Sequence, residues 1–155
     1  MLGFLKKKKN ELYAPADGEL LNLEKVNDPV FSTGMMGPGY AVEPTAVEIY
    51  GPAESKVTSV FPTKHAIGLK TQAGVEILIH LGIDTVELEG QGFDILVKEG
   101  DSVDGTTKLA HMDIDFLKEK GKPATIMVLL PSQIDRQLSV VEKTVEHGEA
   151  VGEVI

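Results

Sequence analysis

The sequence has no cysteine and a single arginine among its 155 residues. Without cysteine there are no disulfides, thiolate metal sites or cysteine nucleophile, and this agrees with a reducing compartment, so we expect a cytoplasmic protein. With only Arg136 to supply forked donors and a net charge of −9, the chain lacks the basic surface that nucleic-acid binding requires. We therefore expect no nucleic-acid partner.

Long hydrophobic runs are absent too. The strongest apolar stretches, residues 75–81 and 126–130, are far shorter than the roughly 18 residues of a membrane span. Residues 1–10 place three apolar side chains ahead of a run of lysines, the reverse of a secretory signal. We expect a flexible N-terminal tail here, too short for stable anchoring, that contacts an anionic bilayer only weakly.

The remaining chain, residues 11–155, has the length of one domain and frequent turn residues. With 16 glycines and 8 prolines, most uninterrupted stretches are strand-sized. We predict an all-β fold, an antiparallel barrel-like β-sandwich with one or two short helical turns. The predicted strands are 18–23, 39–42, 47–49, 56–60, 65–70, 75–81, 93–97, 125–130 and 138–145. The predicted helices are 83–87 and 113–120, the second capped by Asp113.

The most informative stretch, residues 61–82, reads as a β-hairpin. A turn centred between Gln72 and Ala73 would place His65 directly opposite His80 on one face of the sheet. The alternating apolar residues around His80 put it on the face away from the core, beside Leu78. An apolar rim of this kind keeps an imidazole neutral near pH 7.

Three chemistries suit a facing histidine pair. The pair could bind zinc with a carboxylate and hydrolyse a substrate, it could act in acid–base catalysis, or one imidazole could carry a phosphoryl group as a covalent nucleophile. The sequence has neither an HExxH motif nor a glycine-rich nucleotide loop, which favours the carrier. The spacing of the histidines leaves all three open.

At these residues the chain resembles a known family, the glucose-type enzyme IIA domain of the bacterial phosphoenolpyruvate-dependent sugar phosphotransferase system. The resemblance runs over residues 14–151. Its most specific pieces are TKHA at 63–66, AGVEILIH at 73–80, LGIDTV at 81–86 and LEGQGF at 88–93. Supporting pieces are APADG at 14–18, DPVF at 28–31, GPGYA at 37–41 and VKEGDSV at 97–103.

The resemblance implies a phosphocarrier in which His80 is the phosphorylated nucleophile. His65 would steady the phosphoryl group, and the Thr63 hydroxyl would orient the pair. The Gly82 carbonyl would accept a hydrogen bond from His80 Nδ1 and leave Nε2 free to react. No cofactor is implied, although a zinc ion could be chelated by His65 and His80 if a partner completed the site.

The resemblance also implies two protein partners, the histidine phosphocarrier HPr as donor and the enzyme IIB domain of a sugar permease as acceptor. Contact with the membrane would then come through the permease. Asp28 and Asp84 match acidic positions that can meet an arginine of HPr. The residues that match an apolar docking patch are Val30, Phe31, Met35, Met36, Phe61 and Leu78. A regulatory binding module on the same fold and a zinc hydrolase stay as alternatives.

Overall fold

A computed structural model describes residues 11–153 of the chain. The predicted tail over residues 1–10 lies outside the described residues. The strands are β1 (Glu11–Tyr13), β2 (Gly18–Asn22), β3 (Gly39–Pro44), β4 (Glu48–Tyr50), β5 (Ser55–Val60), β6 (Ala66–Lys70), β7 (Glu76–Leu81), β8 (Phe93–Ile95), β9 (Ser102–Val103), β10 (Lys108–Met112), β11 (Ile126–Leu129), β12 (Lys143–Val145) and β13 (Ala150–Glu153). The helices are α1 (Pro29–Ser32) and α2 (Ile114–Glu119), and 3₁₀ segments span Leu23–Lys25 and Thr85–Leu88.

Every strand pair described within residues 11–153 is antiparallel. The largest sheet has eight strands in the order β12-β2-β3-β11-β7-β6-β5-β9, and smaller sheets run β4-β10-β8 and β1-β13. The predicted all-β antiparallel architecture with short helices is confirmed. None of the helices described in residues 11–153 is long and apolar enough to cross a membrane.

The eight-stranded sheet is covered by apolar side chains on both faces. Along β7, Ile77, Ile79 and Leu81 enter the main core, as the alternation of the sequence predicts. The opposite face carries a smaller group, which we call the outer cluster. Its members are Leu23, Val26, Phe31, Ala41, Ile83, Met127 and Leu129. His80 lies on this second face, so the prediction that it points away from the main core is correct.

Several predicted elements differ from the structure. Strands β1, β9, β10 and β13 were not predicted, and the predicted strand 138–145 is reduced to Lys143–Val145. Three of the missed strands have four residues or fewer, and all four pair with residues distant in sequence, so the local pattern carries little signal for them. Helix α2 is confirmed, with the Asp113 carboxylate accepting from the Phe116 N–H at 3.0 Å.

The predicted register of the β6–β7 hairpin is wrong by one residue. Ala66, not His65, lies opposite His80, and Gly68 lies opposite Leu78. The connection is a three-residue loop between Thr71 and Val75, closed by a hydrogen bond from the Thr71 N–H to the Val75 carbonyl at 2.9 Å. Gly74 in this loop has φ +91°, which glycine adopts without steric cost, so the chain uses a three-residue turn instead of a two-residue one.

Candidate functional site

The structure brings the two histidines together in spite of the changed register. Their ring centroids are 5.1 Å apart and the ring planes meet at 73°. His80 lies in β7 between Ala66 on one side and Met127 on the other. The side chain of Ala66 is a single methyl group, so it leaves room above it for a neighbouring ring.

His65 reaches His80 because it precedes strand β6 and belongs to a tight turn. The Lys64 N–H donates to the Phe61 carbonyl at 2.8 Å, and the Phe61 N–H donates to the Ala66 carbonyl at 3.1 Å. Lys64 itself takes φ +60°, a left-handed conformation that redirects the chain, and its side chain is exposed. The His65 carbonyl accepts from the Leu81 N–H at 2.7 Å, which fastens the turn to β7.

Hydrogen bonds constrain the ring nitrogens of both histidines. His80 Nδ1 lies 2.8 Å from the Gly82 carbonyl oxygen. A carbonyl can only accept, so this contact places the proton on Nδ1 and leaves the lone pair of Nε2 unprotonated. The Thr63 hydroxyl lies 2.5 Å from His65 Nδ1. When the hydroxyl donates, His65 carries its proton on Nε2 and can offer it to an anion between the rings.

Burial keeps both imidazoles neutral. It lowers the pKa of His80 to about 4, and the neighbouring His65 acts in the same direction. The Gly82 carbonyl and the carboxylates of Asp28 and Asp84 oppose this effect on the pKa without overcoming it. Burial also lowers the pKa of His65. Near neutral pH the pair therefore presents a nucleophilic nitrogen beside a neutral hydrogen-bond donor.

The lowered pKa of His80 makes the protein less stable in acid. Unfolding returns the pKa to 6.5, so between pH 6.5 and about 4 the unfolded chain binds more protons than the folded chain. Above about pH 6.5 His80 is neutral in both states and does not reduce the unfolding free energy. As the pH drops through this window, the unfolding free energy falls by up to about 3 kcal/mol because the unfolded chain takes up the proton. Denaturant titrations across this range should show a smaller loss in His80→Gln, and equal losses in both proteins would contradict the prediction.

Two aromatic side chains lie against the histidine pair. The Phe31 ring centroid lies 4.9 Å from that of His80, and the Phe61 ring stands 5.5 Å from that of His65. Three members of the predicted patch are exposed: Val30 at 45%, Met35 at 68% and Phe61 at 38%. We call these three exposed apolar side chains the apolar rim, and of the three Phe61 contacts the histidine pair directly.

The other predicted patch residues lie deeper. Phe31 is 6% exposed because it packs in the outer cluster and covers one side of His80. Met36 and Leu78 are half-buried against the same cluster. Val86, two residues after Asp84, is also 49% exposed, and the sequence did not predict its exposure. Its place in the LGIDTV motif was the available signal, but sequence position alone does not indicate exposure.

The two predicted acidic residues occupy different settings. Asp28 is half-buried and caps helix α1, its carboxylate accepting from the Val30 N–H at 2.9 Å. Asp84 is exposed and takes φ +60° at the start of the 3₁₀ segment. Both carboxylates act to raise the pKa of His80, so their negative charges influence the site. The sequence did not predict the helix that Asp28 caps.

No group of three or more histidine, cysteine or carboxylate side chains within residues 11–153 is arranged to hold a metal ion. The histidine pair by itself supplies two ligands, whereas protein zinc sites use four, of which catalytic sites take at least three from the protein. A zinc ion at His65 and His80 would thus need ligands from another molecule.

Comparison with known proteins identifies relatives of this chain. The family described as "phosphoenolpyruvate-dependent sugar phosphotransferase system, EIIA 1" matches residues 10–135. A "PTS system glucose-specific EIIA component" from Halalkalibacterium halodurans is 40% identical, covering 99% of this chain and 92% of the relative. A "PTS system glucose-specific EIICBA component" from Staphylococcus carnosus is 43% identical over 89% of this chain, which corresponds to 20% of that longer protein.

A solved structure shares the fold. The glucose permease IIA from Mycoplasma capricolum superposes with a TM-score of 0.85 at 34% identity, covering 94% of this chain and 95% of that one. The likeness therefore extends over nearly all of both chains.

Proposed function

Because the chain belongs to the EIIA 1 family of the phosphoenolpyruvate-dependent sugar phosphotransferase system, we propose that His80 is its phosphoryl acceptor and His65 the assisting group. The protein is a phosphocarrier in sugar transport, a transferase component that works through a phosphohistidine. The single observation that carries the assignment of His80 is its hydrogen bond to Gly82, which leaves Nε2 unprotonated beside a second neutral imidazole.

In the proposed transfer, the Nε2 lone pair of His80 attacks the phosphorus of a phosphohistidine on the donor protein. The N–P bond of the donor breaks, and the donor imidazole leaves with the bonding electron pair. His80 keeps its proton on Nδ1 throughout, so no base is needed to activate it. The apolar rim excludes water when a partner docks, which protects the labile N–P bond from hydrolysis.

His65 is proposed to stabilise the phosphoryl group without reacting. With Nδ1 accepting from Thr63, its Nε2–H can donate to a phosphoryl oxygen. Since burial lowers its pKa, His65 remains neutral and supports the oxygens only modestly. Weak support suits a carrier, because strong stabilisation of the phosphohistidine would slow its transfer to the next protein.

The partners are components of the phosphotransferase system, and we propose HPr as donor and an enzyme IIB domain as acceptor. The apolar rim of Val30, Met35 and Phe61 supports docking of two proteins in turn, and Asp28 and Asp84 add charge that favours a basic partner. The relationship to the longer EIICBA protein supports the link to a permease. The names of the relatives make glucose the first sugar to test.

We further propose that residues 11–155 form one carrier domain, supported by a main core that contains side chains from Leu12 to Val145. The proposal requires no cofactor, since the hydrogen bonds of the histidine pair already supply the nucleophile. It places the protein in the cytoplasm, where phosphoenolpyruvate is made. The relatives support the carrier and not a regulatory module, and the zinc hydrolase lacks a third ligand within residues 11–153.

The experiment that tests the proposal is intact-mass measurement at mildly alkaline pH. The protein is incubated with phosphoenolpyruvate and enzyme I, with and without HPr. A single acid-labile phosphoryl adduct that depends on HPr is expected. Absence of an adduct, with HPr itself phosphorylated, would contradict the proposed function.

The same assay should distinguish the roles of the two histidines. We expect His65→Gln to accept one phosphoryl group from phospho-HPr but to pass it poorly to enzyme IIB, because the oxygens lose their positioned donor. A fall of roughly tenfold or more in the transfer rate is the expected size. Quenched-flow transfer to a purified IIB domain measures it. Loss of loading in this variant would contradict this expectation, because His65 would then be required for uptake itself and not only for onward transfer.

A further inference from the structure

Both peptide groups that flank Gly82 donate hydrogen bonds to a second loop. The Gly82 N–H donates to the Thr125 carbonyl at 2.9 Å, and the Ile83 N–H donates to the Pro123 carbonyl at 3.1 Å. Gly82 takes φ +81°, and this conformation directs its own carbonyl back to His80 Nδ1. The orientation of that carbonyl therefore depends on how firmly the backbone on either side of Gly82 is fixed.

The side chain of Thr85, three residues after Gly82, also holds this backbone. Thr85 is 0% exposed, and its hydroxyl donates to the Leu81 carbonyl at 2.5 Å. The Thr85 methyl carbon would lie 2.5 Å from a Cβ at Gly82, so it packs directly against the glycine. Thr85 thus contacts the Leu81–Gly82 peptide through a hydrogen bond and the Gly82 Cα through its methyl group.

Leu81 connects this arrangement to both histidines. Its N–H donates to the His65 carbonyl at 2.7 Å, and its carbonyl accepts from Thr85. If the Thr85 hydroxyl were lost, the buried Leu81 carbonyl would lose a hydrogen bond, and the peptide that precedes Gly82 would be held only through its N–H, which donates to the Thr125 carbonyl. The Gly82 carbonyl would then be held less firmly relative to His80 Nδ1, because one of the hydrogen bonds that fix the adjoining backbone would be gone.

We propose that Thr85 is a positioning residue: its hydroxyl holds the Leu81–Gly82 peptide so that the Gly82 carbonyl keeps His80 in the tautomer with Nε2 unprotonated. The inference rests on the proposed role of His80 as phosphoryl acceptor. Thr85 does not touch the phosphoryl group or the reacting nitrogen. Its effect on transfer passes through the backbone and the position of one imidazole proton.

The test replaces Thr85 by valine, which removes the hydroxyl and keeps the methyl packing. The ¹⁵N chemical shifts of the His80 ring, measured in the unphosphorylated protein near pH 7.5, report which nitrogen carries the proton. We expect one Nδ1–H tautomer in the unmodified protein and a mixture in Thr85→Val. Uptake from phospho-HPr should slow roughly tenfold, within the range of a lost hydrogen bond to a buried group. Thr85→Ser keeps the hydroxyl and should preserve both the tautomer and the rate.

Thr71→Val is the matched control. Thr71 is also a buried threonine, and its hydroxyl accepts from the Val75 N–H at 3.1 Å in the hairpin loop. This variant should lower stability without changing the His80 shifts. If Thr85→Val does not fold, Thr85→Ala compared with Thr85→Ser isolates the same hydroxyl.

Three outcomes would overturn the inference. They are unchanged His80 shifts in Thr85→Val, equal impairment of Thr85→Ser and Thr85→Val, and a changed tautomer that leaves the uptake rate unaltered. A change of tautomer in Thr71→Val would assign the effect to general loss of stability and would overturn it as well. The ring shifts are read without partner proteins, so failure here is distinct from failure of the proposed function, which would be an unmodified protein that takes up no phosphoryl group.

Discussion

Replacing His80 with glutamine should abolish phosphoryl uptake. Glutamine keeps a neutral side chain that can donate to the Gly82 carbonyl, but it has no nitrogen lone pair that can attack phosphorus. We expect uptake from phospho-HPr to fall by more than roughly 10³-fold, to the level of no detectable adduct. Intact-mass spectrometry of the reaction, together with a time course of labelled phosphate, measures this loss.

A variant of a second histidine, His111, is the control for this result. His111 lies in β10, within the smaller β4-β10-β8 sheet, and has no part in the proposed site. His111→Gln should therefore be phosphorylated as the unmodified protein is. If His80→Gln still gained one acid-labile phosphoryl group while His111→Gln gained none, the assignment of the acceptor would be wrong.

Replacing Gly82 with alanine should have the second largest effect. An added Cβ would lie 2.5 Å from the Thr85 methyl carbon and 2.9 Å from the Pro123 carbonyl oxygen, and φ +81° is strained for alanine. The backbone must shift, and this moves the carbonyl that fixes His80. We expect a loss of roughly 2–4 kcal/mol in unfolding free energy and a fall in uptake of at least about a hundredfold. Denaturant unfolding and the uptake assay measure the two effects.

Gly100→Ala separates backbone strain from steric clash. Gly100 takes φ +95°, but a Cβ there would meet nothing within 4 Å. This variant should lose roughly 1–2 kcal/mol from strain alone and keep its uptake rate. If Gly82→Ala and Gly100→Ala lost the same stability and both transferred normally, the Gly82 carbonyl would have no special role in setting the tautomer of His80.

The hairpin shows how far the sequence could predict the site. Alternation along residues 75–81 correctly assigned the two faces of β7, because the side chains of a strand point to opposite faces in turn. The register was predicted incorrectly, because Gly74 permits a three-residue loop that the pattern of apolar residues does not distinguish from a two-residue one. The histidines still meet because the turn before β6 returns His65 towards His80.

The outer cluster shows what the sequence could not predict. Phe31 and Met127 pack on the face that carries His80, although one lies in a four-residue helix and the other in a strand almost a hundred residues later. Local periodicity says nothing of contacts at such separations. As a result, the sequence indicated an apolar rim beside His80 but not the burial that lowers the pKa of His80 to about 4.

The sequence by itself determined the all-β architecture, the two faces of β7 and the family to which the chain belongs, since each follows from local alternation, turn residues or motifs. Only the tertiary structure decided the register of the hairpin, the distance between the imidazoles and the tautomer of His80. These depend on a left-handed Lys64, on the Gly82 carbonyl and on loops brought from residues 123–125. The reason is physical: a hydrogen bond or a buried ring is fixed by groups distant in sequence, whose positions are known only once the chain has folded.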